Sequence, residues 1–304
     1  MTTSRSILSE LRIAVANFRP GGIDTGSTSR WDQAMRWDKT VSALRAWQPH
    51  LVLCQEISAT ASGGLRAHLW TTANTLDTIP LLGPPSPGPV TGDHHPAILV
   101  AASAGLVILD AGPTVGLPGT DAQPAWCEAL VQVPGWTHPL RAYSVDLGSR
   151  SSVEQRSQAD RLASRIAGTG ELAVAGGNWD SYGRADAITP AALDFAPLHL
   201  RPSRMRYTPQ DRTLTPNYDV HDVLASVGLE DVFAVLTPGQ REPDDLMPGG
   251  TRSSGRVDRF YLTRDLTDAA ARFARQDIGD SDHQALMLSL DGPSAARAIP
   301  PGPL

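Results

Sequence analysis

An α/β fold is predicted for this chain, on three observations. Short apolar runs alternate with segments of helical spacing. Several of those runs stop abruptly at a polar residue. A length of 304 residues with 41% hydrophobic content suits one large globular domain. Pattern alone admits either a doubly wound sheet or two facing sheets.

The elements follow in order. Leu11-Arg-Ile-Ala-Val-Ala-Asn17 reads as a strand ending in an amide. A polar, Gly-rich loop, Gly21 to Gly26, comes next, and Arg30 to Trp47 then sets Met35, Val41, Leu44 and Trp47 at a partly helical spacing that Pro49 ends. Leu51-Val-Leu-Cys-Gln-Glu56 is a second strand, ending in a carboxylate. Residues 62–77 suit a helix with Leu65, Leu69 and Leu76 inward, and Pro80 to Pro96 reads as a loop because it is rich in Pro and Gly. The His94-His95 pair in that loop invites a metal reading, but an exposed His pair is more often solvated. Four apolar segments come in succession, 97–101, 106–109, 130–133 and 140–145. Ser151 to Ile166 is the best helix candidate, with Ser151 or Ser152 as its cap and Glu154 placed to favour the helix dipole. Glu171-Leu-Ala-Val-Ala-Gly-Gly-Asn178-Trp-Asp180 is a strand that ends in glycine and two polar groups. The chain is irregular from there to about Asn217, a short helix covers Asp219 to Val227, and 237–255 is a further Pro/Gly-rich loop. Arg259-Phe-Tyr-Leu-Thr263 and Gln284 to Leu290 are the last strands. Residues 1–291 are expected to form one domain, and 292–304, with four prolines, a disordered tail.

The polar tips of these strands are where the chemistry gathers, as binding groups do at one rim of a packed sheet. Ser281-Asp282-His283 sets a carboxylate beside an imidazole at the mouth of a strand, a pair able to hold a divalent cation and exchange a proton. Asp258, delivered by a neighbouring strand, would orient His283 and stabilise its imidazolium form. Taken in order, Asn17, Gln55-Glu56, Gly177-x-x-Asp180, Arg256-x-Asp258 and Ser281-Asp282-His283 resemble the signatures of the endonuclease/exonuclease/phosphatase superfamily, across roughly residues 10–291. That resemblance implies a four-layer α/β sandwich, two facing mixed sheets flanked by helices. It also implies phosphoester hydrolysis assisted by Mg²⁺ or Mn²⁺. Glu56 and Asp282, helped by the Asn17 amide, offer the hard oxygen ligands such an ion prefers. Gln55 is expected to support the Glu56 carboxylate, and His283 to bind or protonate a non-bridging phosphoryl oxygen.

The chain departs from that pattern at two places. Members usually carry Gly-Asp-x-Asn where this sequence has Gly177-Asn178-Trp179-Asp180, so acid and amide are exchanged. A central strand usually ends in His-Leu, and here Arg141-Ala-Tyr-Ser-Val-Asp146-Leu147 takes that place, a placement supported by Arg156-x-Gln158-Ala159-x-x-Leu162 downstream. Asn178 then stands where a water-orienting acid belongs, and an amide is a far weaker base. Asp146 stands where a phosphate-binding His belongs, and a carboxylate repels phosphate unless a cation lies between them. Asp180 either aligns the water from a displaced position or binds metal, with Asp146 as co-ligand of a second ion. Blander readings stand beside these. Glu56 is then a strand-end surface acid, Asp258 an ion-pair partner of Arg256 or Arg259, and Asn178 a turn-forming amide. Trp179 is expected to pack beneath the site rather than stack on a base.

A net charge of −6 argues against a general nucleic-acid coat. Arg201, Arg204 and Arg206 form one local cluster, read either as a basic rim or as a solvated loop. Cys54 and Cys127 fall inside apolar runs, where a free Cys behaves as a small hydrophobe, and no C-x-x-C spacing exists. Residues 1–10 lack a secretory apolar core and no stretch approaches 18 uninterrupted apolar residues, so a cytoplasmic protein without a membrane partner is expected. The leading expectation is a metal-dependent hydrolase of a phosphoester, small molecule or nucleic acid, with an altered site. The alternative is a degenerate or repurposed member that binds or transforms a non-phosphate small molecule.

Overall fold

Along β1 (Glu10–Asn17) the side chains divide by parity: Leu11, Ile13 and Val15 enter one apolar cluster, Ala14 and Ala16 another. A strand apolar on both faces needs cover on both, and that requirement organises the molecule. The computed structural model describes residues 8–18, 30–58, 64–86, 94–112, 124–147, 151–188, 193, 198, 201–210, 212–238, 242–243, 257–277 and 283–302.

β1 pairs in parallel with β2 (Leu51–Ser58), which pairs in turn with β4 (His94–Ala101), and β4 with the edge strand β3 (Thr78–Leu82). On its other side β1 runs antiparallel to β16 (Gln284–Asp291), and β15 (Ala270–Asp277) completes a six-stranded mixed sheet. The second six-stranded sheet runs in the order β12 (Leu229–Asp231), β14 (Asp258–Thr263), β8 (Leu172–Asn178), β7 (Leu140–Asp146), β6 (Trp126–Gln132), β5 (Val107–Gly112). Within it β7 and β8 are parallel, and the other pairings are antiparallel. Two short pairings lie outside the sheets, β10 (Met205–Thr208) with β11 (Thr213–Pro216) and β9 (Asp186–Ala187) with β13 (Glu242–Pro243).

The inner faces bury Leu11, Leu53 and Ile98 of the first sheet against Ala142, Val174 and Phe260 of the second. The outer face of the first sheet is covered by α1 (Arg30–Trp47) and α2 (Gly64–Thr75), whose Val41, Leu44 and Leu69 meet Ala16, Val52 and Leu99. The outer face of the second is covered by α3 (Ser152–Thr169) and the helix Asp219–Ser226, through Leu162, Ile166, Val220 and Leu224. The result is a four-layer sandwich of two facing mixed sheets flanked by helices, and the single doubly wound sheet is excluded. α3 opens on a capping box, with Ser151 accepting from the Glu154 N–H, and closes on Gly170 at φ 60°.

Three expectations need correction. Pro80–Leu82 and His94–Pro96 belong to strands rather than a loop: Pro80 lies on the edge strand β3, where a missing N–H breaks no ladder, and Pro96, on the interior strand β4, falls at the register slip opposite Cys54–Ile57. His95 is drawn into the fold, with Nδ1 at 2.9 Å from the Gly83 carbonyl oxygen. Residues 292–302, expected to be disordered, carry a short helix at Gly292–Ala295, begun by Asp291 as cap and Pro293 in the first turn. Gly292 donates to the Ser9 carbonyl, and Ala295 and Ala296 join the inter-sheet core.

Candidate active site

The strand ends predicted to converge do so at one rim. In the first sheet Asn17 is the register partner of Gln55, and the pairing of Val15 with Leu286 carries His283 to the same end. In the second sheet Asn178 is flanked by Asp146 on β7 and by Asp258 on β14, one row across three strands. All three are buried.

Three hydrogen bonds tie the sheets together there. His283 Nδ1 lies 2.8 Å from Asp258 Oδ2, with both side chains almost wholly buried. The carboxylate fixes the ring, drawing the Nδ1 proton toward itself. Gln55 Nε2 donates to Ser144 Oγ at 3.0 Å and to the Leu53 carbonyl at 2.9 Å, while Ser144 Oγ donates to the Cys54 carbonyl at 2.7 Å. Both amide protons of Gln55 are therefore committed, one to its own strand and one across the gap, and the expectation that it props the Glu56 carboxylate is corrected. Asn17 donates to Glu56, Nδ2 to Oε1 at 3.0 Å.

Backbone strain aims the acid. The β2–β4 register slips between Cys54 and Ile57, and Glu56 sits at φ 54°, a left-handed conformation that costs about 1–3 kcal/mol in a non-glycine residue. Packing is equally tight across the gap: a Cβ at Gly177, φ 149°, would lie 1.9 Å from the Val145 carbonyl oxygen and 3.0 Å from Gln55 Nε2.

Asn178 makes the turn that the bland reading assigned to it, its Oδ1 accepting the Asp180 N–H at 3.2 Å. Asp180 is at φ 44°, and its Oδ1 receives Arg204 Nε at 2.7 Å and Nη2 at 2.5 Å. Arg204, read from the sequence as basic rim or solvated loop, is a buried counter-ion. Arg206 is half-exposed and paired with Asp219. Arg259 is fully buried among Asp186, Asp231 and the Ser181 carbonyl, so the partner of Asp258 is His283 and not Arg259. Trp179 packs beneath the row, edge-on to Tyr261 at 5.0 Å, its Nε1 donating to the Arg259 carbonyl. Burial pushes the Cys127 thiol up to about 12 and Cys54 higher still, so neither is a nucleophile at neutral pH.

Gly255, Arg256, Ser281 and Asp282 lie outside the described residues. Among the described residues no three His, Cys, Asp or Glu side chains group closely enough to hold a metal ion. The Asn17 amide oxygen and Glu56 carboxylate are hard donors on neighbouring strands, a set that suits Mg²⁺ or Mn²⁺, which take few protein ligands and keep waters. Ser144 and Arg204 escaped the sequence reading; Arg204 signalled itself only as part of a basic cluster.

No protein-family model matches this sequence, and no curated protein does. Solved structures do. TDP2 from D. rerio, complexed with single-strand DNA product, aligns over 92% of this chain and 98% of its own at TM-score 0.59 and 16% identity. An AP endonuclease from Archaeoglobus fulgidus aligns over 92% and 99% at TM-score 0.60 and 15% identity. An endonuclease/exonuclease/phosphatase from Bacteroides vulgatus aligns over 93% and 99% at TM-score 0.58 and 13% identity. This chain has the endonuclease/exonuclease/phosphatase fold. Near-complete coverage of both chains places the whole sandwich in that fold, and identities this low make the likeness one of architecture.

Proposed function

We propose that this protein is a divalent-metal-dependent phosphoester hydrolase with an altered active site. The observation that carries the reading is the buried His283–Asp258 hydrogen bond, set at the same rim as the Asn17–Glu56 pair. Glu56 and the Asn17 amide oxygen, with Asp282, would hold the ion. A divalent ion there acts as a Lewis acid on a phosphoryl oxygen and steadies the leaving alkoxide. Asp258 holds the His283 ring with Nδ1 toward the carboxylate, and in this reading Nε2 would meet a non-bridging oxygen. Asp146 flanks the row at 3% exposure, close enough in register to Asn178 to act on the same group.

The fold neighbours support a phosphoester as substrate class: one is an AP endonuclease, another a TDP2 complexed with a DNA product. A nucleic acid and a small phosphoester both remain substrates of this reading, and a cytoplasmic setting goes with it. One observation favours a second reading, a degenerate member that binds without hydrolysis: the Asn178 oxygen is held in a turn by the Asp180 N–H. A panel of phosphodiesters and phosphomonoesters assayed with Mg²⁺, Mn²⁺ and chelator decides between them. Hydrolysis that chelator abolishes supports the first; no turnover of any ester, with a ligand bound, supports the second.

A further inference from the structure

Asp180 holds two hydrogen-bond donors in place, and neither has a role in the chemistry above. Its backbone N–H occupies Asn178 Oδ1. The amide is thereby oriented, because the oxygen must face the N–H and Nδ2 must point away from it. Its carboxylate occupies Arg204 Nε and Nη2, both on Oδ1. Asn178 Nδ2 and Arg204 Nη1 carry no hydrogen bond among the described residues, yet neither is among the sealed polar atoms lacking a partner. Both nitrogens therefore reach accessible space, although each residue is only 5% exposed.

We propose that Asn178 and Arg204, oriented by Asp180, form a subsite for the oxygens of a phosphoryl group; this rests on the phosphoester reading. With Nε and Nη2 taken up by Asp180, the Nη1 arm turned away from that carboxylate and the Asn178 amide are the two donors left for an oxyanion, and such hydrogen bonds are strengthened where water is largely excluded. The row beside it is acidic, with Asp146 and Asp258 flanking Asn178, so an anion needs a cation on this side of the rim. Arg204 Nη1 supplies a charge-assisted donor there without a second metal ion, and the Asp180 carboxylate keeps that arginine in place.

The rest of Asp180 is arranged for anchoring. Its carbonyl accepts Gln155 Nε2 at 3.1 Å, which helps hold the strained φ of 44°. Arg204 is fixed from behind, its carbonyl accepting the Asn217 N–H at 2.8 Å while Asn217 Nδ2 donates to the Ser203 carbonyl at 2.9 Å. The exchanged order of amide and acid then has a physical reason: the amide at 178 offers a donor to the row, and the acid at 180 reaches Arg204. Asp180 is a positioning residue and not a base.

The test is binding of inorganic phosphate in chelator, measured by calorimetry, with circular dichroism and a melt to check the fold of each variant. Wild type is expected to bind phosphate, and Arg204→Gln to weaken it about tenfold or more. Arg204→Lys should recover part of that loss, since it keeps the charge and loses the fork. Asp180→Asn should also weaken binding, although it removes a negative charge. Tighter phosphate binding by a folded Asp180→Asn protein would overturn the proposal, because Asp180 would then simply repel anions. Unchanged binding in folded Arg204→Gln, or no binding by wild type, overturns it as well. Should those variants fail to fold, Asn178→Ala leaves the ion pair intact, and an unchanged phosphate affinity there is equally fatal. Wild-type ester hydrolysis alongside any of the overturning results leaves the hydrolase reading standing and the subsite refuted.

Discussion

Replacing His283 is the sharpest probe of the proposed chemistry. The His283–Asp258 contact is 2.8 Å long, joins two sheets, and is screened by little water, since the side chains are 6% and 5% exposed. A positioned proton-transfer group is worth about 10² to 10⁴ in rate, so His283→Ala should lower turnover by that factor. Asp258→Asn keeps the shape and an acceptor oxygen but loses the charge, and should lower turnover less. If Asp258 acts through His283, the double variant falls no further than His283→Ala alone. Stability gives an independent reading. Asp258 Oδ1 is already buried without a hydrogen-bond partner, and removing the imidazole strips Oδ2 as well. His283→Ala should therefore cost about 1–3 kcal/mol, the penalty for a buried polar atom left unmade, and adding Asp258→Asn should return part of it. The assays are steady-state hydrolysis of a generic aryl phosphodiester in Mg²⁺ and urea unfolding. Wild-type turnover in both single variants would show that His283 is structural. A double variant far slower than His283→Ala would refute the idea that the two act as one unit.

Three further outcomes are expected. Glu56→Gln should weaken Mg²⁺ or Mn²⁺ binding strongly while the fold survives, and an unchanged affinity by calorimetry would remove Glu56 from the metal site. His50 accepts the Arg12 N–H at 3.1 Å, and burial, with the Arg12 charge adding to it, holds its pKa down at about 4. The folded state thus binds fewer protons than the unfolded chain, so stability is full above about pH 6.5 and is lost as pH falls toward about 4. The urea midpoint of His50→Gln should decline less over that window than wild type, and parallel slopes would refute the assignment. Restoring the more usual order with Asn178→Asp, Asp180→Asn and Asp146→His should destabilise the protein, because it strands a buried guanidinium. A triple variant with a wild-type melt and new diester hydrolysis would show that the Arg204 pair matters little.

The fold was legible because its strands are apolar on both faces and end in a polar residue. β1 and β2 show this plainly: β1 stops at Asn17, and β2 carries Glu56 at the bulge near its end, both at the rim. Gln55 was misread because adjacency in sequence is not adjacency on a strand. Successive side chains point to opposite faces, so Gln55 enters the gap between the sheets, and a bulge with a positive φ is what turns Glu56 toward Asn17. Ser144 and Arg204 act through contacts 89 and 24 residues away, which leave no local spacing to read. The expected disorder of 292–302 followed from proline content, which reports backbone restriction and is silent about whether Ala295 and Ala296 find a core.

The charge balance of the rim decides how the exchanged motif should be understood. A buried carboxylate persists only with a counter-charge or hydrogen bonds, and two of the acids here have them: Asp180 pairs with Arg204, and Asp258 is hydrogen-bonded to the His283 ring. Glu56 is met by the neutral Asn17 amide instead, which hydrogen-bonds the carboxylate without neutralising it. Glu56, oriented by that amide at the rim, is the acid proposed for the metal. Moving the acid from 178 to 180 shifts a negative charge out of the Asp146–Asn178–Asp258 row and onto an arginine. The row then presents an amide between two carboxylates, which lowers its repulsion toward an incoming phosphoryl group while keeping a hydrogen-bond donor at its centre.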